Sequence, residues 1–143
     1  MGTTYQSIVI QLPPESVWQS VRDFHDMSWT PNVITSLERI GDPQGEEVGA
    51  GRLLNGVFHE TLREIDDDAH SFSYSIDEAP SPISSSDVHD YMGRLTVKAT
   101  PDGGGSLVEW SSSWEDNDEA AYEFCHGIYL ALLADMKASL EGA

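Results

Sequence analysis

Residues 107–140 read LVEWSSSWE followed by DNDEAAYEFCHGIYLALLADMKASL, and this pair of stretches decides the architecture. In the first, Leu107 to Glu115, the residues Val108, Trp110, Ser112 and Trp114 recur at every second position, which places them on one face of a strand. In the second, Tyr122, Phe124, Cys125, Ile128, Tyr129, Leu132, Met136 and Leu140 recur at helical spacing. They predict one long helix over Ala120 to Leu140 with a broad apolar side. The junction between them, Glu115 to Asp118, is rich in capping residues, and Asp116 with Glu119 fits a capping box.

Working back from this pair, Val88 to Thr100 is a long strand with Tyr91, Gly93, Leu95, Val97 and Ala99 on one side, leading into the turn Pro101–Gly105. His70 to Asp77 alternates Phe72, Tyr74 and Ile76 against Ser71, Ser73 and Ser75, an apolar face backed by a wet one. Arg52–Leu54 and Phe58–Ile65 are strands joined at Asn55-Gly56, a strong hairpin signal. Ile34–Ile40 and Tyr5–Leu12 complete a set of about seven strands. Pro14 opens a helix that carries Val17, Trp18 and Val21 through Asp23, and Phe24–Pro31 predicts a second short helical turn. Short turns between strands imply antiparallel pairing. The expected fold is therefore α+β: a curved antiparallel sheet wrapped around a long terminal helix, with two short helices after the first strand, in one domain spanning residues 1–143.

Composition narrows the function. The chain has 25 acidic and 7 basic residues, a net charge of −18, and no cluster of Lys or Arg. Binding of nucleic acid is excluded on this ground, because such proteins need cations to replace phosphate counterions. Insertion into a membrane is not expected, since no apolar run approaches about 18 residues. The single cysteine, Cys125, and a start lacking a basic, apolar leader point to a cytoplasmic protein. His25, His59, His70, His89 and His126 lack metal-ligand spacing, so neither a metal nor a cofactor is expected.

Taken in order, the opening strand with PPESVWQSVRDF, then Trp29-Thr30-Pro31, GAGRLL, HETLREID, FSYSI, HDYMGRLTV and the final helix resemble the START/polyketide-cyclase superfamily, specifically its polyketide cyclase/dehydrase-like branch. The resemblance covers essentially the whole chain and implies a helix-grip fold in which sheet and helix enclose a ligand cavity. Glu60 matches a glutamate that, in the plant hormone receptors of the superfamily, points into the pocket and reaches ligand through water; Tyr91 matches a pocket tyrosine. Those receptors carry a pocket lysine where this chain has Thr30, and a longer gate loop where it has Asn55-Gly56, so a carboxylate ligand of the hormone type is not implied.

The candidate ligand-binding residues are Trp29, Arg52, Phe58, Glu60, Phe72, Tyr74, Tyr91, Trp110, Ser112, Phe124 and Ile128. Phe72, Tyr74, Tyr91, Trp110 and Trp114 form an aromatic wall on neighbouring strands, which Phe124 and Ile128 face from the helix. Glu60 shares the inward face of Phe58 and Leu62, where a lone carboxylate must be paired, neutral or hydrated. Arg52 is its candidate partner, and two registers are open. A two-residue loop at Asn55-Gly56 puts Arg52 on the face of His59, opposite Glu60; a three-residue loop, Leu54–Gly56, puts it with Phe58 and Glu60.

Three functions follow. The first is binding or transport of a small hydrophobic or aromatic molecule, lipid- or polyketide-like, with access beneath the Ala79–Ser86 loop and the Trp29–Asn32 segment. The second is a cyclase or dehydratase using Glu60 and Tyr91, with Arg52 as electrostatic stabiliser. The third is a protein-interaction module without ligand, such as a homodimer.

Overall fold

The computed structural model describes residues 2–116 and 118–142. Seven strands and two helices follow in the order β1 (Gly2–Ile10), α1 (Pro14–Val21), β2 (Leu37–Ile40), β3 (Gly51–Leu54), β4 (Phe58–Asp66), β5 (Ser71–Glu78), β6 (His89–Ala99), β7 (Ser106–Glu115) and α2 (Asp118–Glu141). The strands form one antiparallel sheet in the order β1-β7-β6-β5-β4-β3-β2. Register shifts within the β4–β5 and β6–β7 pairs bend the strands, as bulges do, and the open sheet curves. Its inner face carries the alternating residues read from the sequence: Phe72, Tyr74, Tyr91, Leu95, Trp110 and Trp114 are all buried. The helix α2 lays Ala121, Cys125, Tyr129, Leu132, Leu133 and Met136 against that face. The Tyr129 ring centre comes within 4.9 Å of Trp110.

Two inward polar residues of β1 bond within the sheet, whereas the buried Trp114 Nε1–H has no hydrogen-bond partner among the described residues. On β1 the Thr4 hydroxyl lies 2.5 Å from that of Ser112, and Gln6 Nε2 donates to the Trp110 carbonyl at 2.5 Å. α1 starts at Pro14, where the missing N–H is no loss, and buries Val17, Trp18 and Val21. Trp18 Nε1 and the Arg22 guanidinium both donate to the Asp67 carboxylate, pinning α1 to the β4–β5 turn.

The second short helix expected over Phe24–Pro31 does not form. His25 N–H bonds the Asp23 carboxylate and Ser28 N–H bonds that of Asp26, so side chains capture donors a helix would need. The segment is a chain of turns, closed by Thr30 N–H to the Met27 carbonyl. The capping box expected at Asp116 involves Asn117, outside the described residues; the Asp116 carboxylate itself pairs with His89. Tyr122, expected on the apolar side of α2, is 44% exposed and stacks on His126. Ser71 and Ser73, expected on a wet face, are buried on the outer side of the sheet, where Arg94 and Glu64 cover them.

The turns after α1 are tied to α2 through Asp135. Its carboxylate accepts from the Thr30 hydroxyl (2.9 Å), the Asn32 N–H (2.9 Å) and the Asn32 side-chain amide (2.8 Å). Burial pushes the carboxyl up, but these donors together hold it below the usual range. A folded-state pKa below the unfolded one gives stability that is present above the unfolded value and lost as pH falls through the folded value. Asp135→Asn is expected to cost about 1–3 kcal/mol at neutral pH. It should also lessen the loss of stability between about pH 5 and about pH 2. Urea midpoints of the two proteins across that range check both effects; parallel pH curves would show that Asp135 is not responsible.

Candidate functional site

The hairpin between β3 and β4 sets the floor of the site. Asn55 (φ 53°) and Gly56 (φ 73°) are both left-handed, and Val57 N–H closes the turn on the Leu54 carbonyl. Val57 is an extra residue, so Leu54 lies across from Phe58 and Arg52 across from Glu60. The loop is therefore three residues, one position later than Leu54–Gly56, and it puts Arg52 on the inward face with Glu60. Arg52 Nε and Nη2 donate to Glu60 Oε1 at 2.9 and 2.7 Å, and Nη1 donates to the Phe24 carbonyl at 3.1 Å. The guanidinium lies 3.7 Å from the centre of the Phe24 ring. Both residues are buried, with Arg52 at 2% and Glu60 at 6% exposure. Burial raises the Glu60 carboxyl above its ordinary range, and the attraction of Arg52 offsets this only in part. Both hydrogen bonds fall on Oε1; among the described residues no donor reaches Oε2.

Above the pair runs a chain of buried hydroxyls. Trp110 Nε1 donates to Tyr74 Oη at 2.9 Å, Tyr74 Oη lies 2.8 Å from Tyr129 Oη, and Tyr129 Oη lies 2.5 Å from Tyr91 Oη. Tyr91 Oη then donates to Cys125 Sγ at 3.4 Å. Burial lifts all three phenols well above their ordinary pKa and the thiol to about 11, so every member stays protonated at neutral pH. None is an anionic nucleophile; each can donate or accept a hydrogen bond.

Arg52, Glu60 and this chain surround a hollow completed by Met27, Ile34, Leu54, Phe58, Ile76, Ile83, Phe124, Ile128 and Leu132. Its volume is about 30 Å³, room for one or two water molecules. At its rim the half-buried Phe58 and Phe124 rings stack, 6.2 Å apart. Ile83, buried at 3% exposure, closes another side from the β5–β6 loop. Two carboxylates hold that loop: Glu78 accepts from Ala79 N–H, Ser85 N–H and the Ser85 hydroxyl, and Asp87 from the Ser81 and Ser84 hydroxyls.

Of the residues read from the sequence as ligand-binding, Arg52, Phe58, Glu60, Tyr74, Tyr91, Trp110, Phe124 and Ile128 line this hollow. Three do not. Trp29 packs behind it on Trp110 and donates to the Asp26 carbonyl. Phe72 packs with Trp18 and Phe24 beneath α1, because the sheet bends it away from the hollow. Ser112 is engaged by Thr4. Tyr129, the centre of the hydroxyl chain, was read only as part of the apolar helix face. The signal for it is a phenol at helical spacing from Cys125 and Leu132, facing neighbouring strands that carry Tyr74, Tyr91 and Trp110. Among the described residues no group of three His, Cys, Asp or Glu comes together to hold a metal ion, and no helix is long and apolar enough to cross a membrane.

A single antiparallel sheet gripping one long helix around a partly polar hollow defines a helix-grip domain. Residues 1–141 match the family described as polyketide cyclase/dehydrase and lipid transport, and the chain belongs to that family. Similar solved structures include a protein from Nitrosospira multiformis (42% identity, TM-score 0.92, covering 95% of this chain and 94% of that one). The protein XoxI from Bacillus cereus is 32% identical, with a TM-score of 0.80, covering 99% and 97%. A protein from Bacillus thuringiensis is 30% identical, with a TM-score of 0.78, covering 95% and 96%. None of the curated proteins matches.

Proposed function

We propose that the chain binds, and in that way stores or carries, a small hydrophobic or aromatic molecule bearing at least one hydrogen-bonding group. The observation that carries this reading is the composition of the hollow: apolar on nearly every side, with a buried carboxylate whose Oε2 receives no donor among the described residues. Binding sites combine apolar walls with a few placed polar groups in this manner. Because the hollow holds only one or two waters, the ligand makes its own room. It parts the Phe58–Phe124 stack or displaces Ile83 with the loop that carries it, and Glu60 Oε2 then accepts from the ligand. The protein works without metal or cofactor, in the cytoplasm.

A thermal-shift screen of lipids, flavonoids and aromatic polyketides tests this. A ligand at 100 times its Kd is expected to add about 2.7 kcal/mol to the unfolding free energy. Glu60→Gln should weaken binding of hydroxylated ligands while leaving purely apolar ones unaffected. Uniform silence across the screen would overturn the proposal.

A second reading, a cyclase or dehydratase, is favoured by one observation: the Glu60 carboxyl is lifted above its ordinary range beside the hollow, as general acid–base groups are. Under it Glu60 moves the proton, Tyr91 orients substrate and Arg52 steadies charge. Glu60→Gln should then abolish turnover of a bound polyketide while leaving its binding intact.

A further inference from the structure

The buried hydroxyl chain has a direction, and counting its protons gives it. Each phenol carries one hydrogen, and Trp110 Nε1 can only donate, so the Tyr74 oxygen always receives from Trp110. Four arrangements satisfy the three remaining links, one for each donor left unused, and two of them run in a single direction along the chain. In the outward one, Tyr74 donates to Tyr129, Tyr129 to Tyr91 and Tyr91 to Cys125 Sγ; the unused donor is the thiol S–H. In the inward one, Cys125 S–H donates to Tyr91, Tyr91 to Tyr129 and Tyr129 to Tyr74; the unused donor is the Tyr74 hydroxyl beside the hollow.

The four arrangements differ in which group goes unbonded, and only the outward one leaves every hydroxyl bonded. A thiol is a weak donor, so leaving it free in apolar surroundings costs little, whereas a buried hydroxyl left free costs more. The outward arrangement is therefore the resting one.

From this we infer that the chain Trp110–Tyr74–Tyr129–Tyr91–Cys125 is a reversible relay selecting ligands that carry a carbonyl acceptor for Tyr74 together with a hydroxyl donor for Glu60 Oε2. A carbonyl seated on Tyr74 takes its proton as a hydrogen bond. Tyr129 then turns its proton toward Tyr74, Tyr91 toward Tyr129, and Cys125 S–H toward Tyr91. No bond breaks; three hydroxyls and a thiol rotate, and the Cys125 S–H, unbonded at rest, gains Tyr91 as its acceptor. The inference rests on the ligand-binding reading above and names the chemistry of its ligand.

The chain's only thiol makes this measurable, because its S–H stretching band in the infrared belongs to one residue. The probe is 4′-hydroxyacetophenone, and the control is 4-ethylphenol, of similar shape but without the carbonyl. In ligand-free protein the band is expected at the position of an unbonded thiol. With the ketone it should move to lower frequency and intensify; with 4-ethylphenol it should stay. Tyr129→Phe, which cuts the chain in its middle, should abolish the movement, and Tyr91→Phe should do the same if the first variant folds poorly. A bonded band in ligand-free protein overturns the resting direction. A ketone that raises Tm in the wild type yet leaves its band in place overturns the relay while the binding reading stands, as does a shift that persists in Tyr129→Phe. Failure of both compounds to raise Tm removes the ligand-driven reversal together with the binding reading for this ligand class.

Discussion

Replacing Arg52 with methionine is expected to destabilise the protein by about 3–5 kcal/mol. The loss arises less from the ion pair itself than from what remains. Glu60 is 6% exposed and pairs with no second cation among the described residues, so its carboxylate would stay in the interior without that counter-charge. It would have to take up a proton or draw in water. The Phe24 carbonyl would lose its donor and the Phe24 ring its guanidinium in the same step. The double variant Arg52→Met, Glu60→Leu removes both charges and is expected to recover most of the stability, since buried pairs exchange well for apolar groups of similar volume. Urea denaturation of the single and double variants checks this. If the single variant lost less than about 1 kcal/mol, Glu60 would be a hydrated, exposed carboxylate and the polar floor of the hollow would not exist.

Gly93→Ala should be the other damaging substitution, at about 1–3 kcal/mol. A Cβ at this position would stand 2.4 Å from Tyr74 Cζ and 2.5 Å from its hydroxyl oxygen. Tyr74 is 1% exposed, wedged between Phe24 and Phe72, and bonded to Trp110 and Tyr129, so its ring has nowhere to retreat. The damage should reach function as well as stability, because the displaced phenol is the first hydroxyl of the buried chain. Gly127→Ala serves as the opposite control. A Cβ there meets nothing within 4 Å, and Ala is the better helix former by about 0.5–1 kcal/mol. Differential scanning calorimetry should show Tm falling for the first variant and rising for the second. An unchanged Tm for Gly93→Ala would mean that Tyr74 is not held where the hydroxyl chain requires it.

Much of the fold was legible because its signals are periodic. Strand alternation placed Tyr74, Tyr91, Trp110 and Trp114 on one buried face, and helical spacing placed Cys125 and Tyr129 against them. The Arg52–Glu60 pair was half legible. Glu60 could be assigned to the inward face, but the face of Arg52 depended on one extra residue, Val57, after a left-handed Asn55-Gly56 turn. Turn chemistry predicts that such a hairpin exists and does not count its residues. What stayed illegible depended on curvature and on competition for donors. Phe72 alternates with Tyr74 as a pocket residue would, yet the bent sheet gives it to α1. Asp23 and Asp26 took the amides that a second helix needed. The size of the hollow is set by how far Ile83 and Phe124 reach inward, and no pattern of residue types carries that.

Of the seven basic side chains, six already hold a carboxylate: Arg22, Arg52, Arg63, Arg94, Lys98 and Lys137. Arg39 is the exception among the described residues. With a net charge of −18 and almost every cation spoken for, the molecule surrounds itself with a field that turns anions back before contact. A fatty acid or acidic metabolite would meet a barrier at the rim that a neutral phenol or ketone would not, and this sieve would loosen as added salt shortens the reach of the field to about 10 Å or less.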